Sequence, residues 1–146
     1  MKRQLVDAGW LEEAVVPVGR GRKTVLRLSA RGRELVGRRG AVTRESLAHR
    51  YLKHWHAEQL RVQGYDVQVE AEVAGGRIDV LATREGERVA VEIETGASNV
   101  VSNVRKCLRA GCRRVVVVAA DSKVKRKLER SLARVGLLIS GRVVVE

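Results

Sequence analysis

Residues 76–95, Gly-Arg-Ile-Asp-Val-Leu-Ala-Thr-Arg-Glu-Gly-Glu-Arg-Val-Ala-Val-Glu-Ile-Glu-Thr, constrain this chain more than any other stretch. Two β-branched, apolar runs flank the turn signal Arg84-Glu85-Gly86-Glu87, which predicts a β-hairpin with strands at 77–83 and 88–95. A two-residue loop and a four-residue loop give the same register, in which Asp79 faces Glu92. Directly opposed residues have Cβ atoms about 4.5–5.5 Å apart, and like charges there destabilise a sheet. Glu94 lies two residues beyond Glu92 on the same face, and Arg77 would oppose it. Three carboxylates are therefore expected in one patch. A divalent cation relieves such crowding. Mg²⁺ or Mn²⁺ prefers hard oxygen ligands, keeps several waters, and binds through one or two carboxylates plus a substrate phosphate. The plainer alternative is a solvated sheet face with Glu94 paired to Arg77. The apolar residues Val89, Val91 and Ile93, and the run Val115-Val116-Val117-Val118, favour a central strand instead.

Charge patterning points the same way. The 146 residues carry a formal charge of +12, unevenly spread. Residues 1–64 are net +8, residues 65–100 net −5, and residues 101–146 net +9. The surplus suits a polyanion and predicts salt-sensitive binding. A simple DNA clamp gains nothing from an acidic centre, whereas a metal-dependent enzyme acting on phosphodiesters uses both signs. Aromatics make up 3% of the chain, which argues against a single-strand binder built on stacking platforms. No apolar run reaches the length of a membrane span, and no signal-peptide core is present. Cys107 and Cys112 are too few for a disulfide framework or a four-ligand zinc site. The expectation is a soluble, cytoplasmic protein that contacts nucleic acid.

Along the chain, residues 4–9 read as a helix end closed by Gly9, residues 10–18 as a strand, and residues 19–23 as a basic glycine-rich turn. Residues 24–28 return as a strand, with Val25, Leu26 and Leu28 as inward candidates. Ser29 is placed to cap a helix through Val36. A linker at 37–43 follows, and Thr43 would cap a long helix over 44–62 with Leu47, Tyr51, Trp55, Leu52 and Leu60 as its apolar stripe. Three strands come next, then a helix over 99–110, the valine strand, a basic helix over 122–135 and a last strand at 142–145. The order from residue 44 is α-β-β-β-α-β-α-β. The expected division is residues 1–40 and residues 41–146.

The stretch "GGRIDVLATREGERVAVEIETG" resembles the active-site hairpin of the restriction-endonuclease-like, or PD-(D/E)XK, nuclease superfamily. Residues 44–120 follow that family's α-β-β-β-α-β core. The resemblance implies an α/β fold and Mg²⁺- or Mn²⁺-dependent hydrolysis of DNA. Asp79 matches the family's metal-binding Asp, Glu92 the first residue of its Glu-x-Lys element, and Ile93 the position whose backbone carbonyl completes the metal shell. Glu94 stands where the family usually has Lys. Either Glu94 binds metal or orients the water, or Lys106 on the following helix takes over, with Asn103 one turn before it and Ser98 near the helix start. The family's first helix often supplies an acid, for which Glu45 and Glu58 are the candidates. The "EIETG" and "NVRKCL" stretches also resemble nuclease-like domains at the C-termini of bipolar DNA-helicase-type ATPases, which implies a helicase or ATPase partner. No Walker-type loop occurs here.

"LVDAGWLEEAVVPVGRGRKTVLRLSARGRELV" resembles the latter half of a winged-helix module. Its first helices have no counterpart here, as in a C-terminal fragment of a longer protein or a late-starting reading frame. Arg20, Arg22 and Lys23 on the wing, with Lys125 and Arg126 on the basic helix, are the candidate DNA contacts. The overall expectation is a Mg²⁺-dependent DNA endonuclease, dimeric if both strands are cut. The alternatives are a non-catalytic DNA-binding protein on the same fold and a Holliday-junction-resolvase-like nuclease.

Overall fold

The computed structural model of the chain describes residues 1–37 and 45–146. It divides into two compact units, Met1–Tyr51 and Leu52–Glu146. The expected boundary near residue 40 and the Thr43 cap lie outside the described residues.

The first unit holds helix α1 (Lys2–Asp7), strands β1 (Leu11–Val18) and β2 (Gly21–Leu28), and helix α2 (Ala30–Leu35). The strands pair antiparallel from Leu11↔Leu28 to Val18↔Gly21, so only Gly19 and Arg20 form the turn. Arg22 and Lys23, expected in a longer turn, belong to β2. Val25 is buried, but Leu26 is exposed, because alternation along β2 sends neighbouring residues to opposite faces. Ser29 caps α2 as expected, its hydroxyl accepting from the Gly32 N–H at 3.0 Å. The same hydroxyl donates to the Gly9 carbonyl at 2.6 Å. Helix α2 thus sits directly on the loop that enters β1.

Helix α3 (Leu47–Val62) crosses the division between the units. Its observed cap is Ser46, whose hydroxyl accepts from the His49 N–H at 3.1 Å. Leu52 of the expected stripe is buried, together with Lys53 and Ala57, whereas Leu47, Tyr51, Trp55 and Leu60 are half-buried, so the inward face is rotated from the expected one.

The second unit is a five-stranded sheet in the order β3-β4-β5-β6-β7. Its strands are β3 (Asp66–Val73), β4 (Gly76–Arg84), β5 (Glu87–Glu94), β6 (Cys112–Ala119) and β7 (Val143–Val145). The first three are antiparallel, and β5, β6 and β7 run parallel. The parallel crossovers contain helices α4 (Val100–Arg109) and α5 (Ser122–Arg134). Side-chain carbonyl and carboxylate oxygens of Asn99 and Asp121 cap these two helices. The main core packs Val104, Cys107, Leu128 and Leu132 of the helices against Ala90, Val115 and Val117 of the sheet. Burying such aliphatic side chains contributes roughly 1.5–3 kcal/mol each. The predicted α-β-β-β-α-β order is observed, and the fold is mixed α/β. Among the described residues, no helix is long and apolar enough to cross a membrane.

Candidate functional site

The β4–β5 turn is Glu85-Gly86, both with positive φ (51° and 79°), as a two-residue turn of the primed kind requires. It sets the expected register: Arg84↔Glu87, Thr83↔Arg88, and so on to Val80↔Val91. There the ladder ends. One step further, level with Glu92, stands Asp79. Its carboxylate Oδ2 accepts the Ile93 backbone N–H at 2.8 Å, so a side chain bonds β5 just beyond the last ladder pair. The β3–β4 ladder is interrupted at the same level. It pairs Val69↔Val80 and Ala71↔Ile78, and the intervening Glu70 has φ 55°. Glu70, Asp79 and Glu92 therefore lie abreast on three adjacent strands.

Each outer carboxylate of this row meets a buried lysine. Glu92, 4% exposed, takes the Lys106 ammonium at 3.0 Å on Oε1, and Lys106 is itself 8% exposed. Lys106 also donates to the Arg77 backbone carbonyl. The Cys107 thiol donates to the same Glu92 oxygen at 3.3 Å. On the other flank Glu70 accepts from Lys53 at 2.8 Å, and Lys53 is 3% exposed. Burial, then the neighbouring Asp79 carboxylate, pushes Glu92 up to about 7, against the pull of Lys106 and Cys107. Burial and the Glu92 carboxylate push the Cys107 thiol up, so it is an inert donor here and not a nucleophile.

The structure brings together Asp79, Glu92, Ile93 and Lys106, as expected. Glu94 is placed differently. It is 1% exposed, and both of its oxygens are taken: Oε1 by Asn103 at 2.8 Å, Oε2 by Ser98. The expected trio of carboxylates thus reduces to the pair Asp79 and Glu92, with Glu94 tying the end of β5 to the start of α4. Arg77 does not face Glu94. Its side chain is 64% exposed and pairs with Glu70 at 3.7 Å and Glu72 at 3.6 Å, because the two strands no longer pair at that level. Glu58 lies on the exposed side of α3, paired with Arg61, and Glu45 pairs with His49 at 2.5 Å within the first unit. Arg20, Arg22, Lys23 and Arg126 are exposed, and Lys125 is half-buried.

Glu70 and Lys53 were not foreseen. The register of the β3–β4 hairpin would have placed Glu70 opposite Asp79, but the burial of Lys53 depends on the rotation of α3. Among the described residues, no three His, Cys, Asp or Glu side chains converge closely enough to enclose a metal alone. Two hard carboxylates, with Asp79 close enough to Glu92 to disfavour its charge, nevertheless fit Mg²⁺, which completes its shell with water and phosphate oxygens.

No family model and no curated protein matches the chain. The chain is similar to a solved protein of unknown function, AF1548, at 18% identity and a TM-score of 0.44. That similarity covers 65% of this chain and 55% of AF1548, so the chain spans little more than half the length of that protein.

Proposed function

We propose that the chain is a metal-dependent nuclease of the restriction-endonuclease-like kind, acting on DNA inside the cell. One observation carries this reading: Asp79 and Glu92 meet where the β4–β5 ladder ends, with the Lys106 ammonium fixed on Glu92. Asp79, Glu92 and the Ile93 carbonyl are the groups that would hold Mg²⁺ or Mn²⁺. When bound, such a cation supplies a water of lowered pKa and neutralises charge on the phosphate. The chain's own residues do the rest. Asp79 is oriented by the Ile93 N–H. Lys106 keeps Glu92 in place and presents an ammonium beside the carboxylates, the role the family's usual lysine plays and one that the enclosed Glu94 is not placed to fill. The basic flanks hold the backbone of the substrate.

The closed Glu92–Lys106 pair also supports a second reading. A carboxylate already neutralised by an ammonium needs no cation, which fits a DNA-binding protein without catalysis. Nicking of supercoiled plasmid in Mg²⁺ or Mn²⁺ separates the two. The nuclease reading expects wild-type cutting that Asp79→Ala abolishes while DNA affinity stays within about twofold. Lys106→Ala should slow turnover far more than Lys125→Ala. DNA binding without cutting in either metal favours the second reading. A four-way-junction substrate cut in preference to linear duplex would specify a resolvase.

A further inference from the structure

Two of the chain's four aromatic residues, Trp55 and Tyr65, line one cavity that takes no part in the carboxylate site. It lies within the second unit, has a volume of about 290 Å³, and is floored by Val89, Val91 and Val116. Alternation along β5 puts Val89 and Val91 on the face opposite Glu92. Gln59 on α3 and Gln63 just past its end, whose N–H donates to the Gln59 carbonyl at 3.2 Å, contribute two carboxamides to the wall. His56 and Glu146 add polar groups. Burial holds the His56 imidazole below its ordinary pKa, so at neutral pH it is uncharged and can both donate and accept.

A second cavity, about 410 Å³, shares Tyr65, Val89 and Arg114 with the first. The rest of its wall includes Arg113, Arg142 and the carboxylate of Glu87. Arg142 is fixed by bonds to the Arg113 carbonyl at 3.1 Å and the Cys112 carbonyl at 2.8 Å. Arg113 pairs with Glu87. Arg114, on the wall common to both cavities, is exposed and makes no side-chain hydrogen bond or ion pair among the described residues.

The two compartments differ in chemistry. The first offers aromatic surface for a flat ring, and carboxamides and a carboxylate for its polar edge. The second offers guanidinium groups, which bind phosphate in a fork geometry. Each cavity has one carboxylate: Glu146 lines only the first, and Glu87 lines the second, where Arg113 pairs with it, so Arg114 and Arg142 leave that wall net positive. We propose that the adjoining cavities form a nucleotide-binding site on the sheet face opposite Glu92, with the base against Trp55 and Tyr65 and the phosphate on Arg114. A free nucleoside monophosphate and one unit of a single strand present the same chemistry. The site stands independently of the nuclease reading.

The test is an NMR titration of the full chain, following the Trp55 indole N–H. The probes are the four deoxynucleoside monophosphates, inorganic phosphate, and a short single-stranded DNA oligomer. At least one monophosphate should give a saturable indole shift, weakened about tenfold or more by Arg114→Gln. Gln59→Ala should alter the preference among bases. Arg114 and Gln59 are exposed, so both variants fold, as an unchanged amide spectrum verifies. An oligomer that binds about tenfold tighter than any monophosphate assigns the site to a strand, and equal affinity assigns it to the free nucleotide. An unmoved indole signal, inorganic phosphate binding as tightly as the nucleotides, or full affinity in Arg114→Gln overturns the proposal.

Discussion

Glu92 is where the electrostatics of single residues become measurable. Its carboxyl titrates near 7 in the folded chain and near 4.5 when unfolded, because burial and Asp79 both disfavour its charge. Between those values the native state holds a proton that the unfolded chain has released. The stability this confers is complete below about pH 4.5 and is lost as pH rises to about 7. In EDTA, urea unfolding should therefore show a loss on the order of 3 kcal/mol across that window, reduced in Glu92→Gln. Identical pH profiles for the two proteins would show that this carboxyl does not titrate there. On the proposed nuclease reading, cation binding has the opposite pH dependence, since a metal needs the ionised carboxylate. Addition of Mg²⁺ should raise the melting temperature more at pH 8 than at pH 5, and removal with EDTA should reverse it. Asp79→Asn should abolish the Mg²⁺ effect, and its persistence would place the cation elsewhere.

At the scale of elements, two close contacts decide how well neighbours dock. A Cβ built on Gly32 would lie 2.1 Å from the Trp10 carbonyl oxygen, so α2 can approach the β1 entry only as glycine. Gly32→Ala should cost several kcal/mol, roughly the range of severe packing defects. Hydrogen exchange should report the loss in residues 1–37, and unchanged protection there would refute the close approach. Glu94 is the corresponding strut in the second unit. Asn103→Ala removes one of its two donors and should lower stability by about 1–3 kcal/mol while leaving any cutting per folded molecule intact. How far the sequence foretold these elements depended on range. The Glu85-Gly86 turn fixes pairing over a few residues, so the Asp79–Glu92 level was readable in advance. Asn103 sits four positions after the Asn99 cap, yet its meeting with Glu94 depends on where α4 crosses the sheet, which no local pattern encodes. Lys53 escaped for a related reason. A helix stripe is drawn through apolar residues, and a lysine whose ammonium is satisfied by Glu70 can occupy the inward face unseen.

For the whole molecule, charge arrangement matters more than charge number. The acidic stretch of residues 65–100 is mostly folded inward or paired: Glu92 with Lys106, Glu94 with Ser98 and Asn103, Glu87 with Arg113. Each ion pair cancels one charge of either sign, so the net +12 remains, and exposed arginines and lysines are what the proposed DNA backbone would meet. Such binding releases counterions, so its affinity falls linearly on a log–log plot against salt, with a slope of about −0.9 for each phosphate neutralised on duplex DNA. The β2 pair Arg22 and Lys23 is exposed in the first unit, and Arg126 is exposed on α5 in the second. If both units hold DNA, the double variant Arg22→Ala/Lys23→Ala should reduce the salt slope by up to about 2, and Arg126→Ala by about 1. Fluorescence anisotropy with a short duplex over a salt series measures this directly. The two losses should add if the two sets of residues neutralise different phosphates. A slope insensitive to Arg22→Ala/Lys23→Ala but reduced by Arg126→Ala would confine DNA binding to the unit that carries Asp79 and Glu92, and the β1–β2 hairpin would then have to serve a different partner.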